Sequence, residues 1–154
     1  GLGDVYKRQC ILQAMGQNNE AQIFFQKACA GNNQPVAAMY YNDQKPDKVF
    51  YQGLALLKLG NEGKACSCFN RLIDFGEKHL FDIFKMDYFA VSLPDLQIWE
   101  DDMNRKNRVH CNYLMGLGHL GLGHVEKAKT YFGIASELDN NHQGVQIHSE
   151  MINE

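Results

Sequence analysis

The sequence predicts an all-α fold of stacked antiparallel helical hairpins, a helical solenoid interrupted by an irregular insertion, and three observations lead there. Glycine, alanine and phenylalanine recur at fixed offsets in three separate segments. Within each segment the apolar residues are spaced by three and four, the period of one helix face. No stretch alternates as a half-buried strand must, although Tyr88 to Leu93 could be locally extended.

The three segments share one ruler: Gly16, Ala21, Phe25 and Ala28; Gly60, Ala65, Phe69 and Leu72; Gly123, Ala128, Phe132 and Ala135. The second and third also carry a glycine seven residues upstream, Gly53 and Gly116. Each later glycine suits a tight turn, where a positive φ is cheap only without a Cβ. The upstream glycine and the alanine are small where two helix backbones approach, and the phenylalanine fills the space between hairpins. The repeat-packing set is therefore Gly53, Gly60, Ala65, Phe69, Gly116, Gly123, Ala128 and Phe132.

This pattern of small residue, turn, Ala, aromatic and Ala resembles the tetratricopeptide repeat, over roughly 100 residues. The family's leading Trp and closing Pro are absent, Asn112 and Asn140 standing there in the third segment. The turn glycines are 44 and 63 residues apart, against a usual spacing of about 34, which implies insertions at the joints. The run DYFAVSLPDL from Asp87, WEDDMNRKNRVHC from Trp99 and NYLMGLGHLGLG up to Gly123 resembles the C-terminal repeat region of large uncharacterised bacterial proteins that also carry a galactose-mutarotase-like β-sandwich. The resemblance implies a piece of a larger bacterial protein whose sandwich lies upstream.

Breakers and caps place the elements in order. Residues 1–9 are set apart, because Asp4 to Gln9, DVYKRQ, resembles the translated end of a transposase-type sequencing adapter; the alternative is a genuine helix start. The repeat region then spans 10–154, with hairpins at 10–31, 46–76 and 103–139, an insertion at 77–102 and a capping helix at 142–152. Helices are predicted at Cys10 to Met15, Glu20 to Ala30, Pro35 to Tyr40, Pro46 to Leu59 and Glu62 to Phe75. After an irregular stretch from Met86 to Leu93, others follow at Pro94 to Glu100, Met103 to Leu122, Val125 to Leu138 and Gly144 to Ile152. Pro46 and Pro94 stand where a helix can begin without losing a donor, and Gly60 and Gly123 where one can close.

Bulk composition narrows the function classes. A chain of 154 residues, 45% hydrophobic, has enough apolar material for one continuous core. With 15 basic and 18 acidic side chains it lacks the electrostatic footprint of a nucleic-acid binder. No apolar run approaches the roughly 20 residues that cross a bilayer. The odd set Cys10, Cys29, Cys66, Cys68 and Cys111 lacks the spacing of a disulfide scaffold and reads as reduced thiols in a cytoplasmic protein.

Several constellations resemble chemistry. Gly116, Gly118 and Gly121 spell GxGxxG, but a dinucleotide turn needs a strand before it, and Arg108 to Met115 read as helix. His110, His119 and His124, beside Cys111, are nine and five apart, whereas ligands on one helical face stand three or four apart. Cys66 and Cys68, two apart on a helix, point to different faces. Glu100, Asp101 and Asp102 beside Arg105, Lys106 and Arg108 could flank a sugar cleft; near a helix start they more simply cap it and pair locally with those cations. No nucleophile is accompanied by a base motif. Neither a catalytic residue, a cofactor nor a metal is predicted.

The predicted function is therefore a non-catalytic scaffold or interaction module whose first helices line a groove. Its candidate residues are Phe50, Leu54 and Leu57 in one hairpin and His110, Tyr113 and Leu117 in the next. Their apolar character favours a protein or peptide partner, which includes a domain of the same longer chain. The competing reading is an accessory part of a carbohydrate-active protein, lending Trp99, Asp101 or Arg108 to a glycan site. A third is homo-oligomerisation through apolar surface on the terminal hairpin near Cys10.

Overall fold

The structure, a computed structural model, describes residues 2–37, 44–83 and 96–152. Its regular elements there are all helical: α1 (Leu2–Ala14), α2 (Asn18–Ala28), α3 (Lys48–Lys58), α4 (Glu62–His79), α5 (Leu96–Gly121), α6 (Val125–Leu138) and α7 (Gln143–Glu150). From α1 to α6 each helix packs on the next in sequence. In addition α1 touches α3, α3 touches α5, and α7 lies against α5 and α6.

Three of the connections are the same turn. Gly16, Gly60 and Gly123 have φ of 79°, 75° and 75°, a conformation that a Cβ would strain. After each, the next N–H reaches back five residues: Gln17 to the Leu12 carbonyl, Asn61 to Leu56, and His124 to His119. Each glycine N–H also bonds three residues back, to Gln13, Leu57 and Leu120. These are the paired bonds of a Schellman cap, which satisfy the carbonyls a helix end leaves bare and fold the chain back on itself.

The core follows from the small residues on the ruler. A Cβ at Gly53 would overlap the Phe69 ring, and one at Gly116 the Phe132 ring. Phe69 and Phe132 are buried with Ala65, Leu72, Ala128 and Ala135, each ring adding roughly 1.5–3 kcal/mol by leaving water. Gly121 faces Phe69 from the other side, and Gly118 meets Ile73 and the Phe69 carbonyl. Without side chains there, α4 and α5 approach more closely than a Leu–Leu interface permits.

Several element boundaries differ from the sequence expectation. The segment set apart as 1–9 is helical from Leu2 onward, and Tyr6 rests against Phe25 and Tyr51 at 6.1 and 5.7 Å between ring centres. The predicted short helix at 35–40 is not formed over 35–37, where His110 Nε2 donates to the Val36 carbonyl at 2.9 Å; residues 38–40 lie outside the described set. The expected end of α4 at Phe75 moves to His79, since Gly76 serves contact with Met115 and the Cys111 carbonyl rather than ending the helix. The two helices predicted at 94–100 and 103–122 form one, α5. The insertion expected at 77–102 is thus helical at 77–79 and 96–102, and Met86 to Leu93 lie outside the described residues.

Candidate functional site

The six residues read as groove-lining do not form an open groove. Phe50, Tyr113 and Leu117 are 1%, 2% and 0% exposed, and His110 is also buried. Leu54 is half-buried, and Leu57, at 38%, is the only one well exposed. The correction has distinct causes. Leu117 is buried in the core between helices; Phe50 and Tyr113 are covered by His148 of α7, while His110 lies against Phe75 and the Val36 carbonyl.

Residues from three helices build this covered face. On α3, Phe50 and Tyr51 meet edge to face, 5.4 Å between centres. On α5, one and two turns apart from Leu117, stand Tyr113 and Val109, both buried. From α7 the His148 ring enters between them, 5.3 Å from Phe50, 5.6 Å from Tyr51 and 5.8 Å from Tyr113. Sequence reasoning passed over His148; the signal was a helical face of Gly144, Val145 and His148, small, branched and aromatic at steps of one and three. Gly144 lies against the Tyr113 hydroxyl, where a Cβ would collide.

Electrostatics of the face follow from its dryness. Burial raises the Tyr113 phenol above its ordinary value and pushes Tyr51 up to about 12. Burial also lowers the His148 and His142 imidazoles, so both are neutral near pH 7. His148 Nδ1 stands 2.7 Å from the Gly144 carbonyl and 3.1 Å from the Tyr113 hydroxyl. Its Nε2 is buried with no partner among the described residues. Leaving such a group unmatched costs about 1–3 kcal/mol, so α7 docks against a penalty.

The other constellations resolve individually. GxGxxG lies within α5, where backbone amides bond along the helix and cannot turn toward a pyrophosphate; its glycines are the contact with α4 and Phe132 described above. His119 and His124, five apart, are brought together by the Schellman turn, with Nδ1 atoms 3.3 Å apart, and His119 stacks on Tyr131 at 5.4 Å. Across this turn the cap's third-last and following residues normally touch, which is why a spacing wrong for one helical face still pairs two rings. Among the described residues no three His, Cys, Asp or Glu side chains are placed to hold a metal. Cys66 is exposed and Cys68 buried, on the two faces their spacing predicts. Burial pushes the Cys111 thiol up to about 12, away from reactivity.

The acidic trio lies inside α5 rather than in its first turn, so the capping half of the expectation is corrected while the local ion pairing is seen at Asp102. Asp102 pairs with Arg105 at 3.0 Å and with Lys106, partners three and four residues on along the helix. Hydrogen bonds from Lys106 and then Arg105 hold its carboxyl below the ordinary range. Arg108 is exposed, while the side chains of Trp99, Glu100 and Asp101 lie outside the described residues. No helix among those described is long and apolar enough to cross a membrane. No family model matches the chain, and no solved structure matches it.

Proposed function

We propose that this chain is a non-catalytic helical-repeat module of the tetratricopeptide kind, whose stacked hairpins form a solenoid that holds a protein or peptide. One observation carries the reading: the joined face of α3 and α5 already has a helix seated on it. A surface of Phe50, Tyr51, Val109 and Tyr113 accepts the narrow apolar edge of α7 (Gly144, Val145 and His148), and does so through side chains rather than shared backbone pairing. Helix-in-groove recognition uses such anchors at helical spacing. The aromatic rings add contact area at small entropic cost. The three identical Schellman turns and the Gly–Phe contacts support the repeat part of the proposal.

The test uses the exposed end of the face. A photo-crosslinking amino acid replacing Leu57, in the gene as it stands in its host, is expected to join one protein partner or another domain of the same chain. Binding to an oligosaccharide array with no protein crosslink would overturn the reading in favour of a glycan role.

A further inference from the structure

We propose that α7 is a displaceable latch, an internal ligand that occupies the aromatic face of α3 and α5 and that a partner helix must displace; this rests on the module reading above. Its attachment is one-sided. Val145 and His148 are buried, whereas Gln143, Gln146, Ile147 and Glu150 on the same short helix are exposed. α7 packs on α5 and α6 and meets α3 through the His148 ring, against Phe50 and Tyr51.

Open space flanks the helix on both sides. A cleft of about 500 Å³ opens beside its contact with α6, between Phe132, Gly133 and Ser136 on one wall and Val145, Ser149 and Ile152 on the other. A second, of about 370 Å³, lies toward the start of α3, bordered by Asp47, Tyr51 and His148. A helix belonging to the core proper would be wedged, as α4 is between α3 and α5. Residues 139–142 join it to α6, so it stays at high local concentration even when lifted. The buried, unmatched His148 Nε2 weakens the seat further.

Beneath α7 most of the core forms among α3 to α6, where Phe69, Leu72, Leu114 and Phe132 pack, and Val145 is the one residue of α7 in that buried cluster. Lifting α7 therefore uncovers Phe50, Tyr51 and Tyr113 and leaves the hairpins standing. The partner that fits in its place is an amphipathic helix with a small residue, a branched residue next to it and an aromatic four beyond the small one, repeating the edge of α7.

The experiment uses the full chain and a labelled synthetic peptide of residues 139–154. Gly144→Val drives a side chain against the buried Tyr113 hydroxyl, and His148→Asp places a charge among the three rings; both unseat α7. Each variant is expected to bind the peptide at least tenfold tighter than the unaltered chain. Hydrogen exchange at residues 143–150 should quicken at least tenfold while α4 and α5 keep their protection. Glu150→Gln, exposed and bordering neither cleft, should match the unaltered chain in both readings. Loss of α4 and α5 protection in both variants, or no gain in peptide binding by either, overturns the latch. Because the probe is the chain's own helix, such a failure leaves the Leu57 crosslinking result standing, and a latch that works without any crosslinked partner removes the module reading alone.

Discussion

The first and third hairpins are built on one ruler and differ at one position. Both close on a Schellman glycine, and both bury Ala, Phe and Ala on the second helix. Seven residues before the turn glycine, however, the third has Gly116 under the Phe132 ring, as the second has Gly53 under Phe69, whereas the first has Gln9. Gln9 is 2% exposed, and neither atom of its amide has a partner among the described residues. The turn is thus a local device that survives wherever its glycine does. Close helix approach depends instead on a missing Cβ, and a hairpin lacking that glycine buries polar atoms it cannot pair.

The sharpest way to break the comparison is to give the third hairpin the first one's residue. Gly116→Gln pushes a side chain into the Phe132 ring and buries a new amide, and overpacking with an unmatched polar group should cost about 4 kcal/mol. Urea denaturation of the full chain reads this as a lowered midpoint. A loss under about 1 kcal/mol would mean that Phe132 can move aside and that the glycine is not what sets the spacing of α5 and α6.

The converse change should stabilise. Gln9→Leu keeps the volume and helix propensity while removing the buried amide, which should raise stability by about 1 kcal/mol. If Gln9→Leu destabilises in the same urea titration, Gln9 has a polar role and the two hairpins differ by design.

What the sequence made legible, and what it hid, divides along the same line. The all-α class was readable because periodic spacing and turn glycines are local properties, and each helix from α2 to α7 overlaps an expected segment. The boundaries of α4 and α5 were not, because Gly76 reads as a stop until a neighbour is known to press against it, and the acidic trio reads as a helix start until α5 is seen to begin at Leu96. The groove was least legible of all. Phe50 and Tyr113 stand at one ruler position, but whether that face meets solvent depends on where α7 lands, and no local pattern in α3 or α5 encodes that. His148 was missed for the same reason.

Acid should separate α7 from the third hairpin, on which it sits. Burial lowers the His148 imidazole, with Lys7 of α1 and neighbouring His142 acting in the same direction; the Gly144 carbonyl and Asp47 before α3 act against it, and the phenols Tyr51 and Tyr113 face it neutral. A group whose bound-state value is depressed favours docking while neutral, so the docking contribution is complete above about pH 6.5 and is lost as pH falls below that. Hydrogen exchange at 143–150 should therefore accelerate between pH 7 and 5, corrected for intrinsic rates, more than exchange in α4. His148→Phe should flatten this difference; an unchanged profile in that variant would assign the titration elsewhere, with His142 next in line.

The smallest effect is expected at the charged first half of α5, the part of the third hairpin that the glycine contacts do not reach. Asp102 pairs with Arg105 and Lys106 at the surface, where both partners keep their water and side-chain entropy opposes the pairing. Asp102→Asn should leave the urea midpoint unchanged at 0.15 M salt and shift it only slightly when salt is lowered. A clear loss at 0.15 M salt would place part of the hairpin's stability in this helical extension, and the difference between the first and third hairpins would then no longer reduce to one glycine.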